Sequence, residues 1–222
     1  MTISYQAGMA ASLAAVVVWA SVYILMIRRG LKDKSFGMPI FALCLNMVWE
    51  GWYGFASDMA MLQRVFCMIW FCLDIGLLYT VLKFGAGDFK DWPLLHRWFK
   101  PAVFGILLMA FSMNWAVIKG LNDTHGAYSA SLTVTVYSIL LVVMILRRNS
   151  VKGQSLYIAL LVLIGDILGF FVMVFGINYL QPGVSIHYFW GFQPIILILH
   201  VLYVVLYCHV AIRDGVNPFT RL

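Results

Sequence analysis

Charge is scarce in this sequence. Only 11% of its 222 residues are Asp, Glu, Lys or Arg, where a water-soluble domain carries about a quarter. Hydrophobic residues make up 63% and the mean hydropathy is +0.91, which excludes an ordinary soluble fold and leaves the bilayer as solvent. Glutamate is scarcer still: eight of the nine acids are Asp, and Glu occurs once, at Glu50, inside an apolar block. The four cysteines, Cys44, Cys67, Cys72 and Cys208, all fall within apolar blocks and form no close pair of metal-ligand spacing. Neither a disulfide framework nor a zinc site follows. There is no aspartate-rich cluster for magnesium and diphosphate, no glycine-rich phosphate loop and no nucleophile elbow. The seventh apolar block holds no Lys for a retinal Schiff base. No metal and no cofactor is called for.

What is present is a series of seven apolar blocks, near residues 7 to 27, 36 to 57, 65 to 84, 101 to 121, 127 to 146, 155 to 179 and 187 to 212. Each is long enough to cross a hydrocarbon core of about 30 Å as a helix. The expectation is an all-α integral membrane protein, one seven-helix bundle over residues 1–222. Its basic residues sort by connection: 13 fall in the first, third and fifth connections and the tail, and only Arg64 and Lys119 in the alternate ones. The positive-inside rule then puts the N-terminus outside or in a lumen and the C-terminus in the cytoplasm, in a bacterial plasma membrane or the endoplasmic reticulum. The net charge of +6 is thus a topology marker, and no nucleic-acid partner is needed to explain it. Residues 2 to 27 lack the charged flank of a cleavable signal and are expected to stay as a helix. The connection over residues 85 to 100, with Trp92, Pro93 and Trp98, is expected to lie at headgroup depth.

Polar side chains inside the blocks carry the functional argument, because an ionisable group at membrane depth is costly and faces a protein interior or cavity. Glu50, Asp74, Asp166 and His200 are such groups, and Asn114 adds an amide at similar depth. No Lys or Arg lies deep in a block to neutralise the acids, so desolvation favours the proton-bearing carboxyl, the form a general acid requires. Asn46, Glu50 and Tyr53 share one helical face by their spacing, as do Gln193, His200, Tyr203 and Tyr207 in the last block and Ser131, Thr135 and Ser138 in the fifth. Aromatic residues stand close by: Trp49, Trp52 and Tyr53 around Glu50, Trp70 one turn before Asp74, and Trp115 after Asn114. Ring faces stabilise a cation by about 0.5 to 2 kcal/mol each. A buried acid among π walls suits carbocation chemistry. The competing account of the same residues is structural, with Asn114 and the fifth-block stripe hydrogen-bonding between helices and Asp74 paired to Asp166.

The stretch Phe36 to Tyr53, FGMPIFALCLNMVWEGWY, resembles the second helix of the small integral-membrane terpene cyclases of fungal and bacterial meroterpenoid pathways. Their mark Asn-x-x-Trp-Glu-x-x-Tyr falls on Asn46, Trp49, Glu50 and Tyr53. Similarity continues through LDIGLLY at Leu73 to Tyr79, WPLLHR at Trp92 to Arg97, AYS at Ala127 to Ser129 and RRNSVKGQS at Arg147 to Ser155. The resemblance implies metal-independent cyclisation, in which an acid protonates the terminal epoxide or olefin of a prenylated substrate and rings close through tertiary cations. It makes Glu50 the proton donor or its immediate partner. Fungal members also carry an Asp in the last span, where this sequence has His200. Either His200 replaces it in a proton relay, or Asp74 or Asp166 supplies the second carboxyl, or the activity differs.

The candidate catalytic set is therefore Glu50, Asp74, Asp166 and His200, with Asn46, Trp49, Tyr53, Trp70, Asn114, Trp115 and Tyr203 as candidate substrate-binding residues. The expected partners are a lipophilic prenylated molecule and the bilayer, with no obligate protein partner. Two other functions use the same residues: a proton-coupled carrier with the buried acids as its relay, and a membrane scaffold in which they serve packing alone.

Overall fold

Apolar chain in a hydrocarbon solvent must satisfy its backbone groups internally, which selects helix wherever a single segment stands alone. A computed structural model describes residues 5–180 and 184–222, and all regular structure among them is helical. The long helices are α1 (Tyr5–Asp33), α2 (Ile40–Gly51), α3 (Met61–Phe84), then, after a short amphipathic α4 (Pro93–Arg97), α5 (Phe99–Gly120), α6 (Ala127–Arg148), α7 (Leu156–Leu180) and α8 (Ile186–Arg213). A helix stands at each of the seven apolar blocks. Among the described residues, Ala7–Asp33, Met61–Phe89, Phe99–Gly120, Ala127–Arg148 and His187–Arg213 are long and apolar enough to cross a membrane, and Leu156–Val172 is a shorter apolar helix. Residues 2 to 4 of the uncleaved-signal expectation lie outside the described residues.

Packing arranges six of these helices in a closed ring. α1 lies against α7, α7 against α8, α8 against α6, α6 against α2, α2 against α3, and α3 against α1. α5 stands outside the ring, packed mainly on α2. α2 is too short to reach the far side as a regular helix and continues as a π-helical turn, Trp52–Ala56, directly after the turn that bears Glu50. Such insertions widen the helix locally and re-aim the side chains that follow.

The basic end of the bundle is tied by charge. Asp33 at the end of α1 is bonded by Arg29 and Arg221 and accepts the Gly153 N–H at 2.8 Å. Arg148 donates to the Phe36 carbonyl at 2.7 Å and pairs with Asp88 at 2.7 Å. These contacts fix the loop that leads into α2. In the segment after α3 the side chains of Trp92, Leu94 and Trp98 are exposed.

Candidate active site

Within the ring lies a partly open cavity of about 280 Å³, lined from α1, α2, α3, α6, α7 and the connections before α2, α3 and α6. On α1 its lining runs from Ser12 through Trp19 to Tyr23, a depth of about 16 Å at 1.5 Å per residue. Its inner end is aromatic and acidic, with Trp19, Tyr23, Trp49, Trp70 and Tyr137 around Glu50. Its outer end carries the polar side chains of Ser12, Gln63 and His125.

Glu50 is 1% exposed and is the carboxyl that lines the cavity. Tyr23 of α1 donates its hydroxyl to Glu50 Oε1 at 2.9 Å. Asn46, one turn earlier on α2, sets its amide nitrogen 2.7 Å from the same oxygen, 3.1 Å from Asp74 Oδ2 on α3 and 2.5 Å from the Tyr23 hydroxyl. An amide has two hydrogens to give, so three oxygens compete for them. Glu50 Oε2 and Asp74 Oδ1 are buried without a hydrogen-bond partner among the described residues. Two carboxyls thus converge on one neutral amide, and among the described residues no Lys, Arg or His side chain bonds either of them. Asp74 is fully buried and does not line the cavity. The arrangement presents one carboxyl to a ligand and keeps a second behind it.

Trp49 is aimed by its N–H, which reaches the Gly126 carbonyl at 3.1 Å and Ser129 Oγ at 3.0 Å. Gly126 has φ +72°, and a Cβ there would stand 2.9 Å from the Trp49 ring and 3.0 Å from Tyr53. Glycine is required at this contact. The start of α6, which has no N-cap side chain, is served instead by Asp123, whose Oδ2 accepts the Ser129 N–H at 2.8 Å and its hydroxyl at 2.6 Å. On the opposite wall the Trp19 ring leans on Tyr23 and Tyr137, at centroid distances of 6.4 and 6.0 Å. The packing of α7 on α1 makes room for it, since a Cβ at Gly165 would lie 2.9 Å from the Trp19 indole nitrogen.

The structure brings together Asn46, Trp49, Glu50, Trp70 and Asp74 from the sequence-derived set. It places the others elsewhere. Tyr53 does not share the Asn46–Glu50 face: it lies in the π turn and donates to the Asp123 carbonyl at 2.5 Å, anchoring α2 to the connection before α6. Asn114 donates to the Leu45 and Ala110 carbonyls, which joins α5 to α2. Trp115 is 51% exposed on the outer helix α5, outside the ring. Tyr203 bonds Gln154 at the basic end. Asp166 pairs with His200 across α7 and α8, so Asp74 and Asp166 are not partners. His200 is not among the cavity's described lining residues; its ring stands 6.0 Å between centroids from Tyr137, which is. Ser131, Thr135 and Ser138 bond back to carbonyls of their own helix. Trp19, Tyr23 and Tyr137 were not singled out from the sequence; the Trp19–Tyr23 spacing of one turn in the first block was the available signal.

Comparison with known proteins places this geometry in context. The family model of the Pyr4-like transmembrane terpene cyclases matches residues 4–213. The Pyr4-family terpene cyclase mfmH of Annulohypoxylon moriforme is 34% identical over 139 residues, 62% of this chain and 57% of that protein. The terpene cyclase ascF of Acremonium egyptiacum is 25% identical over 190 residues, 79% of this chain and 65% of the relative. The terpene cyclase pyr4 of Aspergillus fumigatus is 27% identical over 155 residues, covering 68% and 64%. The matched region thus spans less than two thirds of the length of each of these three relatives. No solved structure matches the chain.

Proposed function

Because this chain belongs to the Pyr4-like transmembrane terpene cyclases, we propose that it folds and cyclises a prenylated substrate in the cavity of its helical ring. The observation that carries this reading is Glu50, the one Glu of the sequence, standing at the aromatic inner end of the cavity with Asp74 behind it. Glu50 delivers a proton to the terminal epoxide oxygen or olefin carbon of the prenyl chain. Each following π bond closes on the cation, and loss of a proton from the last cation, or capture by a hydroxyl of the substrate that then loses its proton, balances the one delivered. Substrate and product are isomers. Asp74 and Asn46 position Glu50 and hold the proton with it; Trp49, Trp70, Trp19 and Tyr137 face the migrating charge. The apolar walls keep water from quenching it, and the confined chain is already folded for ring closure.

The acid at the inner end supports one direction of binding. The prenyl terminus lies against Glu50, and the head group lies near Ser12, Gln63 and His125 at the outer end. The basic loops support an orientation with the N-terminus lumenal, the C-terminus cytoplasmic and seven crossings, and the fungal relatives favour the endoplasmic reticulum membrane. The carrier alternative needs a connected relay. The acids instead form two separate groups, Glu50 with Asp74 and Asp166 with His200, so no observation favours it.

The direct test is incubation of the purified protein in detergent, without added metal, with farnesylated and geranylgeranylated phenols and their terminal epoxides. A cyclic product of unchanged mass is expected. Absence of any isomer across the panel, together with proton-gradient-dependent flux of such compounds in sealed vesicles, contradicts the reading.

A further inference from the structure

A second cleft, of about 570 Å³, lies at the basic end of the bundle, far from Glu50. Its rim carries Arg147, Arg148, Lys152, Ser35 and Ser150, with Asp88 as its single acid. Arg148 and Asp88 neutralise each other at 2.7 Å. Arg147 and Lys152 are exposed and form no ion pair among the described residues; Arg147 rests on the Phe89 ring at 4.9 Å. The first turn of α2 borders the same cleft through Ile40 and Phe41. That helix has no side-chain N-cap, so its first N–H groups and the positive end of its dipole face an anion there at no cost. The opposite wall has the contrary character. Ile106 of α5 and Leu140 and Val143 of α6 line it, and Val143 is 47% exposed toward the outside of the bundle.

A site with two unpaired cations at the headgroup level and an apolar wall continuing along the bilayer suits one kind of ligand, an anion with a hydrocarbon tail. We propose that this cleft binds a membrane phospholipid of net negative headgroup, its phosphate between Arg147, Lys152 and the start of α2, and an acyl chain along Ile106, Leu140 and Val143. Occupancy would brace the loop that Arg148 already ties to α2 through the Phe36 carbonyl, and α2 is the helix that holds Glu50. The inference stands on the cleft alone and does not depend on the reaction at Glu50.

The test uses the full chain in nanodiscs of phosphatidylcholine, with and without a minor fraction of phosphatidic acid, and follows the thermal unfolding midpoint. Phosphatidic acid is expected to raise the midpoint of the wild type and to leave the double variant Arg147→Ala/Lys152→Ala unmoved. A second variant, Ser150→Asp, puts a negative charge in the cleft and is expected to lose the response as well. Inorganic phosphate added to phosphatidylcholine discs is expected to give no shift. An unresponsive wild type, an undiminished shift in both variants, or an equal shift with inorganic phosphate overturns the proposal, the last by assigning the site to a free anion.

Discussion

Glu50 is held by two neighbours that make different demands on it. Tyr23 donates to one of its oxygens, Asn46 shares an amide hydrogen between it and Asp74, and its second oxygen remains unpartnered. Tyr23→Phe removes the hydroxyl's bond to Glu50 and the one it accepts from Asn46, each worth about 1 kcal/mol. It is expected to lower kcat by about five- to tenfold while KM stays near the wild-type value, since the lost hydroxyl aims the acid and not the hydrocarbon. Asp74→Asn keeps the shape but takes away the second carboxyl. It is expected to lower kcat by about 10²-fold with little change in KM; an unchanged kcat would reduce Asp74 to a packing residue. That Glu50 would face a protein interior was legible in the sequence, because a lone acid with no cation in an apolar block has few structural excuses. Tyr23 was not, since a Tyr in the first span reads as bulk until α1 is packed against α2.

The π turn at Trp52–Ala56 follows the α2 residues that line the cavity and carries Tyr53, which is not among that lining. Spacing counted on a regular helix puts Tyr53 on the face of Asn46 and Glu50, whereas the wider turn delivers it to the Asp123 carbonyl. Side-chain periodicity cannot register a change in helix type, so this part of the site was hidden. Trp115 was misplaced for a related reason: adjacency to Asn114 in sequence says nothing about α5 standing outside the ring. The connection before α6 supports Trp49 through Gly126, at φ +72° with a built Cβ 2.9 Å from the indole. Gly126→Ala is expected to cost about 1 to 3 kcal/mol, read as a lowered thermal midpoint, and to reduce turnover by displacing Trp49. Retention of both midpoint and turnover would contradict this account of the loop.

At the scale of the molecule, the helices, their boundaries to within a few residues and the distribution of charge were all legible, because hydrocarbon solvent leaves few alternatives to helix. The order of the ring was not, since nearly every block is apolar on all sides. The charge distribution predicts the topology: in sealed microsomes with the cytoplasmic face outward, Lys90→Cys is expected to react with an impermeant maleimide, and Asp58→Cys only after permeabilisation. The reverse pattern would invert the bundle. Under the proposed function the architecture is an aromatic-lined chamber that brings one proton to one end of a prenyl chain. Its most direct measurement is product formation from a prenylated phenol epoxide by wild type and Glu50→Gln side by side, each with an unfolding midpoint recorded in the same detergent. The account predicts an isomer of unchanged mass from the wild type and a loss of at least about 10²-fold in the variant, with equal midpoints. Full turnover by Glu50→Gln would contradict it.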